Sequence, residues 1–403
     1  MNSDSNRKSL LIILSVASIV VCGTLLISIF ARGYRLDTNN GAFKLKVTGL
    51  LSATSKPKSA SVYVDDLLVT ATDDTLNLSP GNYKIKIIKD GYLPWEKNIK
   101  IQPELVYQTD AQLFRSSPDL KLITEGEIIN PVVSPDFTKI VYAIASTSAT
   151  SKENGLYLLE LTELPLLMSK STQRLLSLNS TYLDWSKYSF QFSPNSKQIL
   201  ASSKTNPNVY LFSLDQSLNS QNLLDVSSRL PQIMKDWKIS QDQITQNKLE
   251  KLPLELTSVI ATDSAIISFN STEDKILYQA SSSAQLLTHL PTPPLTQSTQ
   301  TQQRDLQEGF YYVYDIKDDT NFLIGDTSIS QVSWIPYSNN LLFIKDKNIL
   351  VAEYDATNYQ NIYSGYLSPQ ILLPTPDGYR LIISISTSDK TPKSLYSMTI
   401  KER

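Results

Sequence analysis

A strand-turn-strand unit recurs about five times over the C-terminal two-thirds of this chain, and that recurrence limits the possible folds more than any other feature. Val132 to Tyr142 runs strand, Ser134-Pro135-Asp136 turn, strand, and Gln191 to Ala201 repeats the pattern around Ser193-Pro194-Asn195. Looser copies follow at Ile267 to Tyr278, Val332 to Phe343 and Leu373 to Ile383. Most are trailed by a further strand of one type, at Leu156 to Leu161, Val209 to Leu214, Tyr311 to Ile316, Ile349 to Tyr354 and Leu395 to Ile400. Arg174 to Ser177 reads as a fourth strand.

A sheet of four short strands buries both faces only by packing on its neighbours, so serial copies must stack. The expected fold class is therefore mostly β, with a β-propeller of about 5 to 7 blades and a helical insertion over residues 116–403. A pair of β-sandwiches built from similar hairpins is the competing architecture. The copies resemble the Ser-Pro-Asp-Gly repeats of TolB-type propellers. The final copy offers strands around Pro374 to Ser386 and at Leu395 to Ile400, whereas Leu120 to Thr124 is a strand that belongs to no copy. Pairing these two segments would complete the last blade and remove an open edge.

Two insertions interrupt the repeat. Ser240-Gln241-Asp242-Gln243 has the spacing of a capping box and is predicted to begin a helix; Pro253 is predicted to open a second, with Leu256, Val259 and Ile260 on one face. Thr296 to Gln303, after Pro291-Thr292-Pro293-Pro294, is almost wholly Thr, Gln and Ser and is expected to be disordered.

Ahead of the repeats stands an uncharged apolar run, Leu10 to Phe30, long enough as a helix to span a bilayer core of about 30 Å. Residues 10–31 are predicted to be a retained transmembrane anchor, so the first partner is a lipid bilayer. A cleaved signal peptide fits less well, because its apolar region runs only about 7 to 15 residues and ends at a small-x-small site. Nor does Cys22 suit a lipoprotein signal, since Ile19-Val20-Val21 before it are bulky. Arg7 and Lys8 before the run nearly balance Arg32 and Arg35 after it, leaving orientation to other features. The body is rich in Ser, Thr, Asn and Gln, which suits a cytoplasmic tail at 1–9, a linker at 32–42 and a large C-terminal region outside a single-pass cell membrane.

Residues 43–115 alternate apolar and polar positions in several short strands with no helix. Pro57-Lys58-Ser59-Ala60, Val62-Tyr63-Val64-Asp65-Asp66, Leu78-Ser79-Pro80-Gly81-Asn82-Tyr83, Lys89-Asp90-Gly91-Tyr92 and Trp95 follow in order. The succession resembles the PEGA domain, a small β-sandwich of bacterial and archaeal surface proteins. Ser59 and Asp66 stand where that family's pattern has glycine, and Gly91 is predicted at positive φ. The resemblance implies a spacer or binding role at the envelope and carries no catalytic residues.

Chemistry is sparse. Lys and Arg number 37 against 39 Asp and Glu, a net charge of −2, so no nucleic-acid partner is called for. His289 is the only histidine, which leaves no His-based triad or multi-His zinc site, and neither P-loop nor dinucleotide fingerprint appears. Asp315, Asp318, Asp319 and Asn321 cluster like a calcium loop but lack the EF-hand glycine and distal Glu; they and Asp355 to Asn358 are expected to be solvated hairpin turns. Trp185, Trp237 and Trp334 could stack on a sugar, but tryptophan in such repeats more often fills a core. No catalytic residue, cofactor or metal ligand is predicted. The expected function is a membrane-anchored cell-envelope protein that binds or scaffolds a protein or glycan. The alternative is a glycoside hydrolase or lyase working with carboxylates alone.

Overall fold

The structure is a computed structural model that describes every residue except 1–2, 32–33, 38–43, 125, 146–153, 162–171, 216–222, 253, 255, 258–267, 288–297, 366, 387–392 and 403. The chain divides into two compact units, Met1–Leu113 with Gln297–Thr299, and Phe114–Thr296 with Gln300–Arg403.

The first unit opens with helix α1, Ser3–Ala31, of 29 residues. Its apolar side chains are uncovered: Ile13 is 67% exposed, Ile19 71% and Ile27 72%. Among the described residues, no helix is long and apolar enough to cross a membrane.

Beside two two-stranded ladders, Tyr34–Asp37 with Lys44–Val47 and Ser55–Lys56 with Ala111–Gln112, two larger sheets follow and share one core. Leu67–Ala71, Ser61–Val64, Gly81–Ile88 and Trp95–Ile101 form a four-stranded antiparallel sheet in that order. Val106–Gln108, Gly49–Ala53 and Asp74–Leu78 form a three-stranded one. Alternate residues point inward, so Leu51 and Ala53 from the smaller sheet meet Val62, Ile85, Ile87, Trp95 and Ile99 from the larger. The four-stranded sheet is antiparallel throughout. Val106–Gln108 instead runs parallel to Gly49–Ala53, a pairing that needs a distant crossover and leaves no local signal. Ser59 and Asp66, at the positions where the family's pattern has glycine, adopt φ of 59 and 64°, so polar residues carry these left-handed turns, and Asp65 beside them has φ 48°; Gly91 has the predicted positive φ, +80°.

The second unit contains five four-stranded sheets among the described residues. The first is Glu127–Val133, Lys139–Ala145, Gly155–Glu160 and Thr172–Leu178, and the second Tyr188–Phe192, Gln198–Ser203, Tyr210–Ser213 and Leu224–Asp225. The third is Ser268–Phe269, Lys275–Gln279, Tyr311–Asp315 and Thr320–Gly325; the fourth runs in the same manner from Ser330–Trp334 to Gln360–Ser364. The fifth joins Leu367–Pro374, Arg380–Ile385 and Ser394–Thr399 to Asp119–Leu122, the strand that the sequence left without a copy.

Strand alternation explains how the sheets stack. Val141, Ala143, Leu156 and Leu158 leave one face of the first sheet to pack with Phe190 and Phe212 of the second and with Trp185 in the short helical turn, Trp185–Lys187, before it. Ile140, Tyr142, Ile144 and Leu159 leave the opposite face to meet Ile371, Leu373 and Ile382 of the fifth. Third and fourth sheets join through Leu277, Val313, Ile324, Trp334 and Phe343.

Helix α2, Leu230–Leu249, fills the interval between second and third sheets. Leu230, Ile233 and Trp237 cover Leu200, Val209 and Leu211 of the second sheet. Leu249, Leu252 and Leu256 cover Ile276, Tyr278 and Tyr312 of the third. This corrects the expected boundary, because Ser240-Gln241-Asp242-Gln243 lies inside α2 rather than at its start. A Pro in the first turn and the stripe Leu230, Ile233, Trp237 begin the helix instead, with no side-chain cap on Arg229. Of the second predicted helix, Pro253, Val259 and Ile260 lie outside the described residues.

Candidate functional site

The turns that open each repeat carry the most regular chemistry of the second unit. In the first, second, third and fifth sheets the fourth residue of the turn is left-handed: Phe137 at φ 57°, Ser196 at 59°, Glu273 at 55° and Gly378 at 69°. The backbone closes identically, with Ser134 N–H donating to Lys139 O and Phe137 N–H to Ser134 O, both 2.9 Å. A short side chain, Ser134, Ser193, Asn270 or Thr375, accepts from the backbone N–H five residues on. Neighbouring turns also grip each other. Asp136 N–H donates to Ser196 Oγ at 3.2 Å, Tyr337 N–H to Ser271 Oγ at 2.8 Å, and Asn270 Nδ2 to Asn339 Oδ1 at 3.2 Å.

Beside the third of these turns lies a buried ionic cluster, where the strands put Lys275 directly opposite Asp315. The Lys275 side chain is 8% exposed, with Nζ 3.1 Å from Asp315 Oδ2 and 3.0 Å from Asp274 Oδ2. It also sits 4.7 Å above the ring of Tyr354, which comes from the fourth sheet's side and meets Phe322 of the third edge-on at 5.9 Å. Burial pulls the ammonium's pKa down, but Asp315 and Asp274 outweigh it and the net shift is upward. Burial raises the Asp274 carboxyl, and hydrogen bonds from Thr272, Asn270 and Lys275 overcome that, leaving it at about 2. For Asp318 burial dominates, the Asp315 charge adds to it, and its pKa rises.

The acidic run that resembled a calcium loop is thus divided between two cations. Asp315 faces Lys275 and accepts from the N–H groups of Lys317 and Asp318. Asp319 accepts from Arg304 at 3.0 Å and from the Tyr314 hydroxyl at 2.8 Å. Asn321 accepts from the Tyr278 hydroxyl and donates to Gln303 O. The hairpin turn was read correctly, but its solvation was not: Asp315, Asp319 and Asn321 are 3%, 4% and 0% exposed. Adjoining segments supply counter-charge and hydroxyls, which replace the water that the polar sequence implied. Gln303 is likewise placed, its N–H donating to Asn321 O, although the polar run that it ends was expected to be disordered. Asp355 is also buried, holding Thr357 in a local turn while Glu353 takes the Thr357 hydroxyl and Asn358 amide.

Chemically, this cluster is a clamp. A nucleophilic lysine needs a depressed pKa, and Lys275 has the reverse. Among the described residues, no group of three or more His, Cys, Asp or Glu could hold a metal ion. The tryptophans fill cores: Trp185 is fully buried between the first two sheets, Trp334 donates Nε1–H to Ser268 O at 3.0 Å, and Trp237 packs α2 on the second sheet. His289 lies outside the described residues.

Residues 48–117 match the PEGA domain family. Among solved structures, TolB from Acinetobacter baumannii is similar at 12% identity and a TM-score of 0.24, covering 80% of this chain and 60% of its own. An acylaminoacyl peptidase from Pyrococcus horikoshii is similar at 10% identity and a TM-score of 0.21, covering 68% and 38%. Oligogalacturonate lyase from Vibrio parahaemolyticus is similar at 9% identity and a TM-score of 0.22, covering 92% and 96%. This chain therefore spans 60% and 38% of the first two proteins' lengths, less than two thirds of either. No curated protein matches it. The chain is mostly β, carries a PEGA segment and has TolB among its structural neighbours.

Proposed function

We propose that this chain is a single-pass, membrane-anchored protein of the cell envelope that binds or scaffolds a protein or glycan and catalyses no reaction. In this reading α1 is the anchor, the PEGA segment a spacer, and the five sheets the blades of a propeller, with α2 wedged into the ring. The observation that carries it is the use made of the polar groups in the second unit. Asp315, Asp319 and Asp355, among the carboxylates that the sequence singled out, are turned onto Lys275, Arg304 and a local turn, where they join strands and sheets. Supporting it, the uncovered aliphatic side chains of α1 would be unfavourable in water and suit a hydrocarbon surround. Strand-to-strand joining of Asp119–Leu122 with Ser394–Thr399 is the kind of contact that closes a ring of sheets.

The test is a glycan array and a panel of envelope proteins probed with the full chain in lipid nanodiscs, beside a search for released sugar or unsaturated product from the same glycans. Saturable binding without product supports the proposal. Turnover that is lost on substituting a pair of carboxylates would replace it with the carboxylate glycosidase or lyase reading.

A further inference from the structure

The PEGA segment has an edge that soluble proteins usually protect. Leu67–Ala71 is the outer strand of the four-stranded sheet and pairs only with Ser61–Val64. Its Leu67, Leu68 and Val69 are 71%, 62% and 49% exposed, so neither face of the strand is spent on the core. Nothing in Leu-Leu-Val-Thr-Ala blunts this edge: it has no lysine and no proline, the usual obstacles to pairing with another chain. One row of ladder groups beside three aliphatic side chains is therefore open to an added strand.

Charge narrows what that strand can be. Asp65 and Asp66 form the turn before it, and Asp73 and Asp74 follow it. Asp73 is paired with Lys58 at 2.9 Å. Asp74 accepts from the Thr70 hydroxyl and Thr75 N–H, and Asp65 accepts from Lys84 N–H. The nearby ammonium groups of Lys84 and Lys86 are held by Glu96 at 3.2 and 2.8 Å. Among the described residues, no ion pair is formed by Asp65, Asp66 or Asp74, and although the Lys86 ammonium feels the charge of Asp66, Glu96 holds it, so both ends of the open strand keep a net negative charge.

We propose that Leu67–Ala71 is a strand-addition site for an extended apolar segment of another protein with basic residues at its two ends. Apolar side chains give the contact its area, ladder hydrogen bonds give it direction, and the acidic ends select the flanks. A second copy of this chain is a poor occupant, because antiparallel pairing about Thr70 would set Asp66 of each copy against Asp74 of the other. An anionic lipid surface is disfavoured by the same acids.

The experiment uses the full chain in zwitterionic nanodiscs and a fluorescent probe peptide, Lys-Val-Thr-Val-Thr-Val-Lys, read by anisotropy. Saturable binding is expected, falling tenfold or more in Leu68→Lys, whose exposed side chain should leave the melting temperature unchanged. Charge reversal by Asp66→Lys with Asp74→Lys should weaken this probe about two- to fivefold per pair and strengthen a Glu-ended probe of the same core. Absence of saturable binding, indifference to Leu68→Lys, or equal binding of the two probes would overturn the proposal. So would probe-independent dimerisation that Leu68→Lys abolishes, or partition of the site into anionic vesicles in place of peptide binding.

Discussion

Leu120 stands opposite Met398 in an antiparallel pair that joins the first strand of the second unit to its last. Asp119 and Thr399, Lys121 and Ser397, and Leu122 and Tyr396 continue the register, and Ile123 N–H donates to Leu395 O at 2.8 Å just beyond it. The strand from Asp119 to Leu122 is exposed along its length, so its attachment depends on the ladder more than on burial. Lys121, opposite Ser397, is the residue whose N–H the register turns toward the partner strand, so Lys121→Pro, which removes that donor and fixes φ, should lower stability by about 1 to 3 kcal/mol. Lys121→Thr should cost little. Chemical denaturation of the two variants checks this, and equal stability would mean that the pair does not hold the ends together.

The turns make a second pair of expectations with opposite signs. Gly378 is at φ +69°, and a β-carbon there would collide with the Pro336 carbonyl oxygen of the adjoining turn. Gly378→Ala should therefore cost about 2 to 4 kcal/mol, strain and collision together. Phe137 occupies the matching position at φ 57° with its side chain 57% exposed. Phe137→Gly should stabilise the chain by about 0.5 to 1 kcal/mol, relief of strain exceeding the added chain entropy. Melting temperatures moving in the same direction would remove the argument from turn geometry.

Lys275 is expected to behave as half of a buried pair. Lys275→Met leaves Asp315, its side chain 4% exposed, without its cation and should destabilise by about 3 to 5 kcal/mol. Adding Asp315→Leu to that variant should restore much of the loss, because the uncompensated charge goes too. A double-mutant cycle by urea denaturation reads this directly. Additive losses would show that the two groups are not coupled.

The pH dependence around this cluster has a defined sign. The Asp274 carboxyl is held at about 2, against 3.8 when unperturbed, so its contribution is present above pH 3.8 and is lost as pH falls toward 2. Asp274→Asn should thus be less stable than the parent at neutral pH, and the gap should close in acid. Asp318 is shifted upward by burial and the Asp315 charge, so its ionised form opposes folding. Asp318→Asn should stabilise at neutral pH and lose that advantage below the unperturbed carboxylate range. Denaturation midpoints across pH 2 to 7 compare both variants with the parent, and gaps that do not change with pH would contradict the reading.

Sequence resolved the repeated hairpins because two local signals agree there, period-two alternation in the strands and turn residues between them. Leu120 to Thr124 could be placed for a related reason: an orphan strand and an incomplete last sheet each lacked a partner. Helix α2 was misplaced because its beginning has no capping side chain, while Ser240-Gln241-Asp242-Gln243 mimics a cap from within the helix. Solvent exposure failed at Asp315 and Asp355 because a polar turn looks wet until the neighbour that buries it is known. The opposition of Lys275 and Asp315 was recoverable in principle, since aligning the two strands by their turns pairs them.

The proposed anchoring of the chain by α1, with its sheets outside the cell, is measured most directly by protease treatment of intact cells expressing the full chain, followed by alkaline carbonate extraction of their membranes. The expected result is that untreated chain stays with the carbonate-washed membrane, and that external protease releases a fragment beginning soon after Arg35 and containing the sheets. Complete protection until the cells are lysed, or extraction of the intact chain into the carbonate supernatant, would contradict it.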